Sequence, residues 1–289
     1  MKQKRRDGTE LAPGGQDKLL ATLYSHAWGR LLLRPLTAPW VSQTAGWLLS
    51  TRLSCVLIKP FIQKNNIDMS QFAAEKYRSY NAFFSRKIKP GARIIDKNPQ
   101  HLISPCDSKL TALEITEDTR LTLKHTEYTV ASLLHSETLA QAYTGGYALI
   151  FRLTVDDYHR YCYVADGEKE ENHFIPGRLH TVNPIANDYF PIYKENSRAY
   201  SVLHSTTFGD IVMMEVGALL VGKIVNLHGK KRVRRGEEKG YFEFGGSTVV
   251  LLLKKDAVRL DADILRNSRE GVETVVRYGE KIGSAWLPD

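Results

Sequence analysis

A chain of 289 residues, 43% hydrophobic and 25% charged, has the make-up of an ordinary globular protein, long enough for one large domain or a domain with an appended layer. Its formal charge of +8 is concentrated: residues 1–35 hold seven basic and three acidic side chains, and residues 229–239 hold six and two. Two basic patches on a balanced chain point to a polyanionic surface, either lipid head groups or nucleic acid. Cys55, Cys106 and Cys162 form no Cys-x-x-Cys pair, which favours a reducing cytoplasm over a disulfide framework. Residues 1–15 lack the apolar core of a signal peptide, and the longest uncharged run, residues 35–51, is too polar and proline-broken to span a membrane.

In chain order, residues 1–16 read as a disordered basic arm. Residues 18–34 place Leu19, Leu20, Leu23, Ala27, Trp28 and Leu31 at helical spacing, and Pro35 ends that helix. A second helix is expected over 41–58. Trp28, Trp40 and Trp47, with Arg30, Arg34 and Arg52 nearby, suit amphipathic helices lying on a membrane; packing on the protein core is the alternative. Residues 66–85 also read as helix. From residue 102 the pattern changes to short strands broken by Gly, Pro and Asp, as at 147–155 and 211–225. The fold class is therefore α+β, with N-terminal amphipathic helices packed on a mostly antiparallel, β-rich catalytic domain. The expected divisions are a basic arm (1–16), a helical membrane-associating region (17–95) and a β-rich domain (96–289).

Residues 240–253 organise the chain. Aromatic and β-branched residues make them a strand, interrupted by Gly245-Gly246-Ser247-Thr248. A glycine pair inside a strand marks a bulge or a close backbone approach, and that structural reading suffices by itself. It also sets the Ser247 hydroxyl beside the unhindered carbonyl of Gly246. Attack by Oγ on that carbonyl would turn the amide into an ester. Removal of the Cα proton of residue 247 would then eliminate the ester and cut the chain, and the resulting dehydroalanine would hydrolyse to a pyruvoyl group at the new N-terminus. Such a ketone condenses with amines and withdraws electrons as PLP does.

Other polar residues are candidates beside plainer roles. Asp107 sits in a turn before a strand, where a lone Asp commonly caps backbone. Asp156-Asp157-Tyr158-His159-Arg160 follows a strand; it is either a solvated loop or a carboxylate-oriented general base. His180, in Gly177-Arg178-Leu179-His180-Thr181, is a second candidate imidazole. The remaining histidines show no metal-ligand spacing, and no nucleotide-binding Gly-rich loop is present.

Several stretches in one order and spacing resemble the phosphatidylserine decarboxylase family. They are Tyr80-Asn81-Ala82-Phe83-Phe84-Ser85-Arg86-Lys87-Ile88-Lys89-Pro90-Gly91-Ala92-Arg93, Ser104-Pro105-Cys106-Asp107, Asp157-Tyr158-His159-Arg160, Pro176-Gly177-Arg178-Leu179-His180-Thr181-Val182-Asn183-Pro184, Val221-Gly222-Lys223-Ile224 and Phe244-Gly245-Gly246-Ser247-Thr248. The resemblance implies self-cleavage between Gly246 and Ser247 into a β chain of 246 residues and an α chain of 43. It implies a covalent pyruvoyl cofactor from Ser247, and decarboxylation of phosphatidylserine to phosphatidylethanolamine by a peripheral protein at the cytoplasmic face of the membrane. The expected partners are phosphatidylserine and an anionic membrane surface, with no metal and no nucleic acid. The β/α heterodimer is expected to form, and further dimerisation is what the family suggests. His159 is assigned as the acid that protonates carbon after CO₂ loss. Asp107 is expected to orient a His that acts as base toward Ser247, as in a Ser-His-Asp arrangement.

One position departs from the family pattern. Where many members carry a second His three residues after the first, this chain has Cys162. The base in cleavage is then Cys162 as thiolate, His159 serving both steps, or His180 reaching in, and His159 with help from His180 is preferred. Three alternatives stay open: an uncleaved relative that only binds lipid surfaces, a pyruvoyl decarboxylase for a soluble amino acid, and a nucleic-acid-binding protein carried by its charge.

Overall fold

The computed structural model describes residues 2–11, 39–123, 126–177, 195–217, 223–243 and 247–286. It opens with strands β1 (Lys2–Arg5) and β2 (Glu10–Leu11). A helical layer follows: α1 (Pro39–Leu49), a 3₁₀ helix (Arg52–Leu57), α2 (Ile58–Lys64) and, after a 3₁₀ turn at Met69–Gln71, α3 (Tyr80–Phe84). Next come β3 (His101–Ile103), β4 (Ser108–Glu114), the hairpin β5 (Arg120–Leu123) and β6 (Thr126–Thr129), helices α4 (Val130–Leu134) and α5 (Glu137–Gln141), and β7 (Tyr147–Leu153). Short strands β8 (Arg160–Cys162), β9 (Gly167–Lys169) and β10 (His173–Ile175) precede the long pair β11 (Arg198–Ser205) and β12 (Gly209–Val216). The chain finishes through β13 (Ile224–Asn226), β14 (Lys231–Val233), β15 (Glu238–Phe242), β16 (Ser247–Leu253), β17 (Val258–Leu260), α6 (Ala262–Arg269), β18 (Val272–Val276) and β19 (Lys281–Ala285).

The α+β class is as expected. One large sheet runs β14-β9-β11-β12-β16-β7-β4-β18-β1-β2, with β10 also on β11, and β16 lies inside it between β12 and β7, antiparallel to both. A run of Val and Leu buried along its whole length suits such a position, because apolar layers cover both faces. Alternation then sends Val249, Leu251 and Leu253 into one core with Leu149, Phe151 and Leu153, and Val250 and Leu252 into the other with Ala148 and Ile150. Two three-stranded sheets, β13-β15-β8 and β17-β19-β3, and the two-stranded β5-β6 complete the β-rich body.

Four expectations change. Residues 240–253 are two strands in different sheets, since the chain leaves β15 at Phe242 and joins the large sheet at Ser247. Residues 66–85 are helical only at the Met69–Gln71 turn and over Tyr80–Phe84: between them Ala73 N–H bonds the Lys87 carbonyl and Lys89 N–H that of Gln71, each at 2.9 Å, so pairing with residues 87–89 overrides helix propensity there. Within residues 1–16, residues 2–11 are ordered strands and not an arm. β1 pairs in parallel with β18, and Arg6 clamps it through Asp261 at 2.7 Å and Asp263 at 2.9 Å. The strand expected over 211–225 ends with β12 at Val216. The helix expected over 18–34, with Trp28, lies outside the described residues, as does His180.

The helical layer attaches through α3. Ser79 caps it by accepting from Ala82 N–H, and Tyr80, Phe83 and Phe84 pack with Leu49, Ile58, Phe61 and Ile62. Outward, α1 and the 3₁₀ helix leave Trp47, Leu48, Leu53, Val56 and Leu57 exposed, with Arg52 and Lys59 among them. No helix among the described residues is long and apolar enough to cross a membrane.

Candidate active site

Ser247 opens β16 directly opposite Leu153, the last residue of β7. Its side chain is wholly buried, and its Oγ has no hydrogen-bond partner among the described residues. The same holds for Thr248 Oγ1, which points to the opposite face of the sheet. A buried hydroxyl without a partner is costly, so it marks a place where something other than packing was selected.

Beyond Leu153 the chain makes a tight loop around Asp157. That carboxylate accepts from Thr154 N–H at 2.6 Å and from Lys109 Nζ at 2.7 and 2.8 Å, and Asp157 N–H bonds the Thr154 carbonyl at 2.9 Å. The loop delivers His159, whose carbonyl accepts from Phe242 N–H at 3.0 Å. Leu153 and Phe242 thus tether the two candidates, one by register with Ser247 and one by direct bonding to His159.

The His159 imidazole is wholly buried under Phe84, with ring centroids 4.1 Å apart. Nδ1 lies 2.9 Å from the Asp157 carbonyl, which can only accept, so Nδ1 carries the hydrogen and Nε2 keeps its lone pair. Nε2 has no partner among the described residues. Burial, only partly opposed by the Asp157 carbonyl, pushes the imidazole down to about 3, so it is neutral and able to accept a proton.

The other expected residues fall differently. Among the described residues Asp107 bonds no histidine. Arg93 Nε reaches its two oxygens at 2.9 and 3.1 Å, Arg93 Nη2 approaches to 2.5 Å, and Tyr278 N–H donates at 2.8 Å. Cys162 lies on β8 with its N–H on the Pro105 carbonyl; burial pushes its thiol up to about 12, which opposes a thiolate base. Arg93 and Lys109, the partners of Asp107 and Asp157, were not singled out from the sequence. No residue spacing announces such pairings between separate loops. Among the described residues no group of three or more His, Cys, Asp and Glu side chains is placed to hold a metal.

A cavity of about 1440 Å³ lies alongside, walled by Arg5, Arg93, Asp107, Lys109, Asp157 and Arg277 among others. It reaches the loop that carries His159, but neither His159 nor Ser247 lines it.

A β-rich body that buries a strand-leading serine hydroxyl and an imidazole Nε2, neither with a hydrogen-bond partner among the described residues, has the make-up of an enzyme core. Comparison with known proteins says of which kind. The phosphatidylserine decarboxylase family model matches residues 80–284. A phosphatidylserine decarboxylase proenzyme 2 of Clostridium acetobutylicum is 47% identical over 265 residues, covering 91% of each chain. Phosphatidylserine decarboxylase proenzymes of Ruminiclostridium cellulolyticum and Clostridium tetani are 39% and 40% identical, covering 98% and 92% of this chain and 95% and 92% of theirs. The chain belongs to the phosphatidylserine decarboxylase family, and it is a decarboxylase.

Proposed function

We propose that this protein is made as a proenzyme, cuts itself between Gly246 and Ser247, and uses the resulting pyruvoyl group to decarboxylate phosphatidylserine to phosphatidylethanolamine. The observation that carries the reading is a pair of buried atoms without partners among the described residues, Ser247 Oγ and His159 Nε2, on segments tethered through Leu153 and Phe242. The proenzyme names of the relatives support it.

In cleavage, His159 Nε2 takes the Ser247 hydroxyl proton as Oγ attacks the Gly246 carbonyl and returns it to the Ser247 nitrogen as the Gly246–Ser247 amide breaks and the ester forms. A base then removes the Cα proton of residue 247, the Cβ–Oγ bond breaks, and the β chain leaves with a C-terminal carboxylate; water hydrolyses the dehydroalanine left at residue 247, releasing ammonia and leaving the pyruvoyl group. His159 serves here too, because Asp107 is occupied by Arg93 and the Cys162 thiol is held protonated by burial. His180 remains a second imidazole for either proton.

The site fits the cofactor because residue 247 itself supplies it, buried opposite Leu153 at the head of an apolar strand. Once formed, the pyruvoyl group supplies an amine-reactive ketone that withdraws electrons from the scissile carbon. His159 Nε2, neutral at rest, would take up the proton released by the substrate ammonium and return it to the carbon that loses CO₂, and Phe84 keeps its ring in place. Exposed Trp47, Leu48, Leu53, Val56 and Leu57, ringed by Arg52 and Lys59, would seat the protein peripherally on an anionic bilayer. The cleaved β and α chains would stay together, since β16 of the α chain lies between β12 and β7 of the β chain. Incubation of the wild-type protein with phosphatidylserine vesicles should release CO₂ and yield phosphatidylethanolamine, and Ser247→Ala should do neither. Turnover by that variant would refute the reading.

A further inference from the structure

Arg86 takes no part in the chemistry above, yet it is one of the most deeply buried side chains, 2% exposed. Its guanidinium lies 4.1 Å from the Phe72 ring centroid and 4.7 Å from that of Phe83. Nη1 donates to the Phe83 carbonyl at 3.3 Å. Nε and Nη2 have no acceptor among the described residues. These two nitrogens form one edge of the guanidinium, with two N–H bonds parallel, the fork that grips a phosphate or carboxylate with two hydrogen bonds.

A buried cation without a counterion is among the most costly features a fold can carry. Burial pulls Arg86 down to about 10, which still leaves it charged at neutral pH. The acidic group that acts on it is Asp107, and that carboxylate is already taken by Arg93 and Tyr278 N–H. The aromatic rings around the guanidinium contribute faces rather than charge.

The position is beside the reaction. Phe84, two residues earlier, covers the His159 ring, and the Ser85 carbonyl accepts from Arg160 Nε at 2.8 Å, so residues 84–86 run alongside residues 159–160. Phe72, whose ring meets the guanidinium, also lines a cavity of about 210 Å³ with Tyr158, Arg93 and Asp107. We propose that Arg86 is the anion anchor of the substrate, its Nε–Nη2 edge receiving the phosphodiester of the lipid head group beside His159.

The inference rests on the decarboxylase reading. The substrate offers two anions, and the chemistry chooses between them. The carboxylate loses its charge in the reaction, so a buried cation bonded to it would stabilise the ground state more than the transition state and oppose CO₂ loss. The phosphodiester keeps its charge throughout, so holding it adds binding equally to substrate, transition state and product.

The test compares wild type, Arg86→Met and Arg86→Lys for self-cleavage by mass, for Tm, for turnover of phosphatidylserine vesicles, and for inhibition by glycerophosphoethanolamine, which has the phosphodiester and no carboxylate. Arg86→Met should cleave itself and keep or raise its Tm, because a buried charge with no carboxylate bonded to it among the described residues is gone. Its KM should rise roughly ten- to hundredfold with kcat within about threefold, and inhibition should weaken by the same factor. Arg86→Lys, with charge but no fork, should fall between. A lower Tm in Arg86→Met with normal KM in Arg86→Lys would make the residue structural and overturn the proposal. So would a rise in KM with inhibition unchanged, which would place Arg86 on the carboxylate. Wild type that binds glycerophosphoethanolamine through Arg86 but turns over no phosphatidylserine would keep the anchor and reject the decarboxylase reading instead.

Discussion

His159 gives its Nδ1 hydrogen to the carbonyl of Asp157, two residues back, at 2.9 Å, and that one bond decides which ring nitrogen faces the chemistry. Asp157 is itself pinned by Lys109 and Thr154, so the imidazole is oriented by backbone whose position a distant lysine controls. A neutral His held in one tautomer can act as base without a carboxylate behind it, which accounts for a site where Asp107 is engaged elsewhere.

The base assignment predicts a clear order among variants. His159→Gln should slow self-cleavage at least about a hundredfold, within the range for loss of a general base, while Cys162→Ala should stay within about threefold of wild type. The wild-type cleavage rate should be flat between pH 5 and 8, since the imidazole is already neutral there. A rate that climbs through pH 8–10 and vanishes in Cys162→Ala would give the role to the thiolate instead.

Burial of His159 also makes a prediction about stability. Its folded value of about 3 lies below the ordinary 6.5, so between these values the unfolded chain binds a proton that the folded protein refuses. The contribution is therefore fully present above about pH 6.5 and is lost as pH falls toward 3, by several kcal/mol in all. In a Ser247→Ala background, adding His159→Gln should flatten the fall of Tm with acid. Parallel Tm curves would show that the ring is not buried neutral.

Lys239 and Glu215 form a wholly buried ion pair at 2.7 Å, completed by Asn226, and Glu215 faces Val249, two residues from Ser247. Lys239→Met strands the carboxylate and should cost about 3–5 kcal/mol. The double variant Lys239→Met/Glu215→Leu should recover most of that loss. Thermal melts of the three proteins check both statements, and a double variant no better than the single one contradicts them.

The peripheral seat on the membrane can be probed at the exposed apolar patch. Trp47 is 69% and Leu53 86% exposed, so replacing both with Asp leaves the core intact. Each apolar side chain inserted contributes about 1.5–3 kcal/mol, so co-sedimentation with phosphatidylserine vesicles should weaken more than tenfold while self-cleavage stays normal. Unchanged sedimentation would place the lipid contact elsewhere.

What could be read from the sequence follows from how local each signal is. The Val-Leu run of β16 and the glycine pair before Ser247 are local, so the central strand and the candidate nucleophile were legible; the loop that presents His159 was expected as solvated or carboxylate-oriented, and its burial against a backbone carbonyl was not. Residues 66–85 misled because their helix propensity competes with pairing to residues 87–89, a tertiary choice. Residues 2–11 were expected in a basic arm because a cluster of positive charge looks solvated until its partners, Asp261 and Asp263, arrive from the far end of the chain. The engagement of Asp107 by Arg93 was hidden for the same reason. Arg86 was the hardest to see, since an arginine in a basic run is expected on the surface and only the packed structure reveals it caged by Phe72 and Phe83.

The most direct test of the whole account is the intact mass of the purified protein under denaturing conditions. Two fragments of 246 and 43 residues are expected, the smaller beginning at position 247 with a pyruvoyl group in place of a free amine, and one uncut chain in Ser247→Ala. A wild-type protein that stays a single chain of 289 residues, even after incubation with phosphatidylserine vesicles, would contradict it.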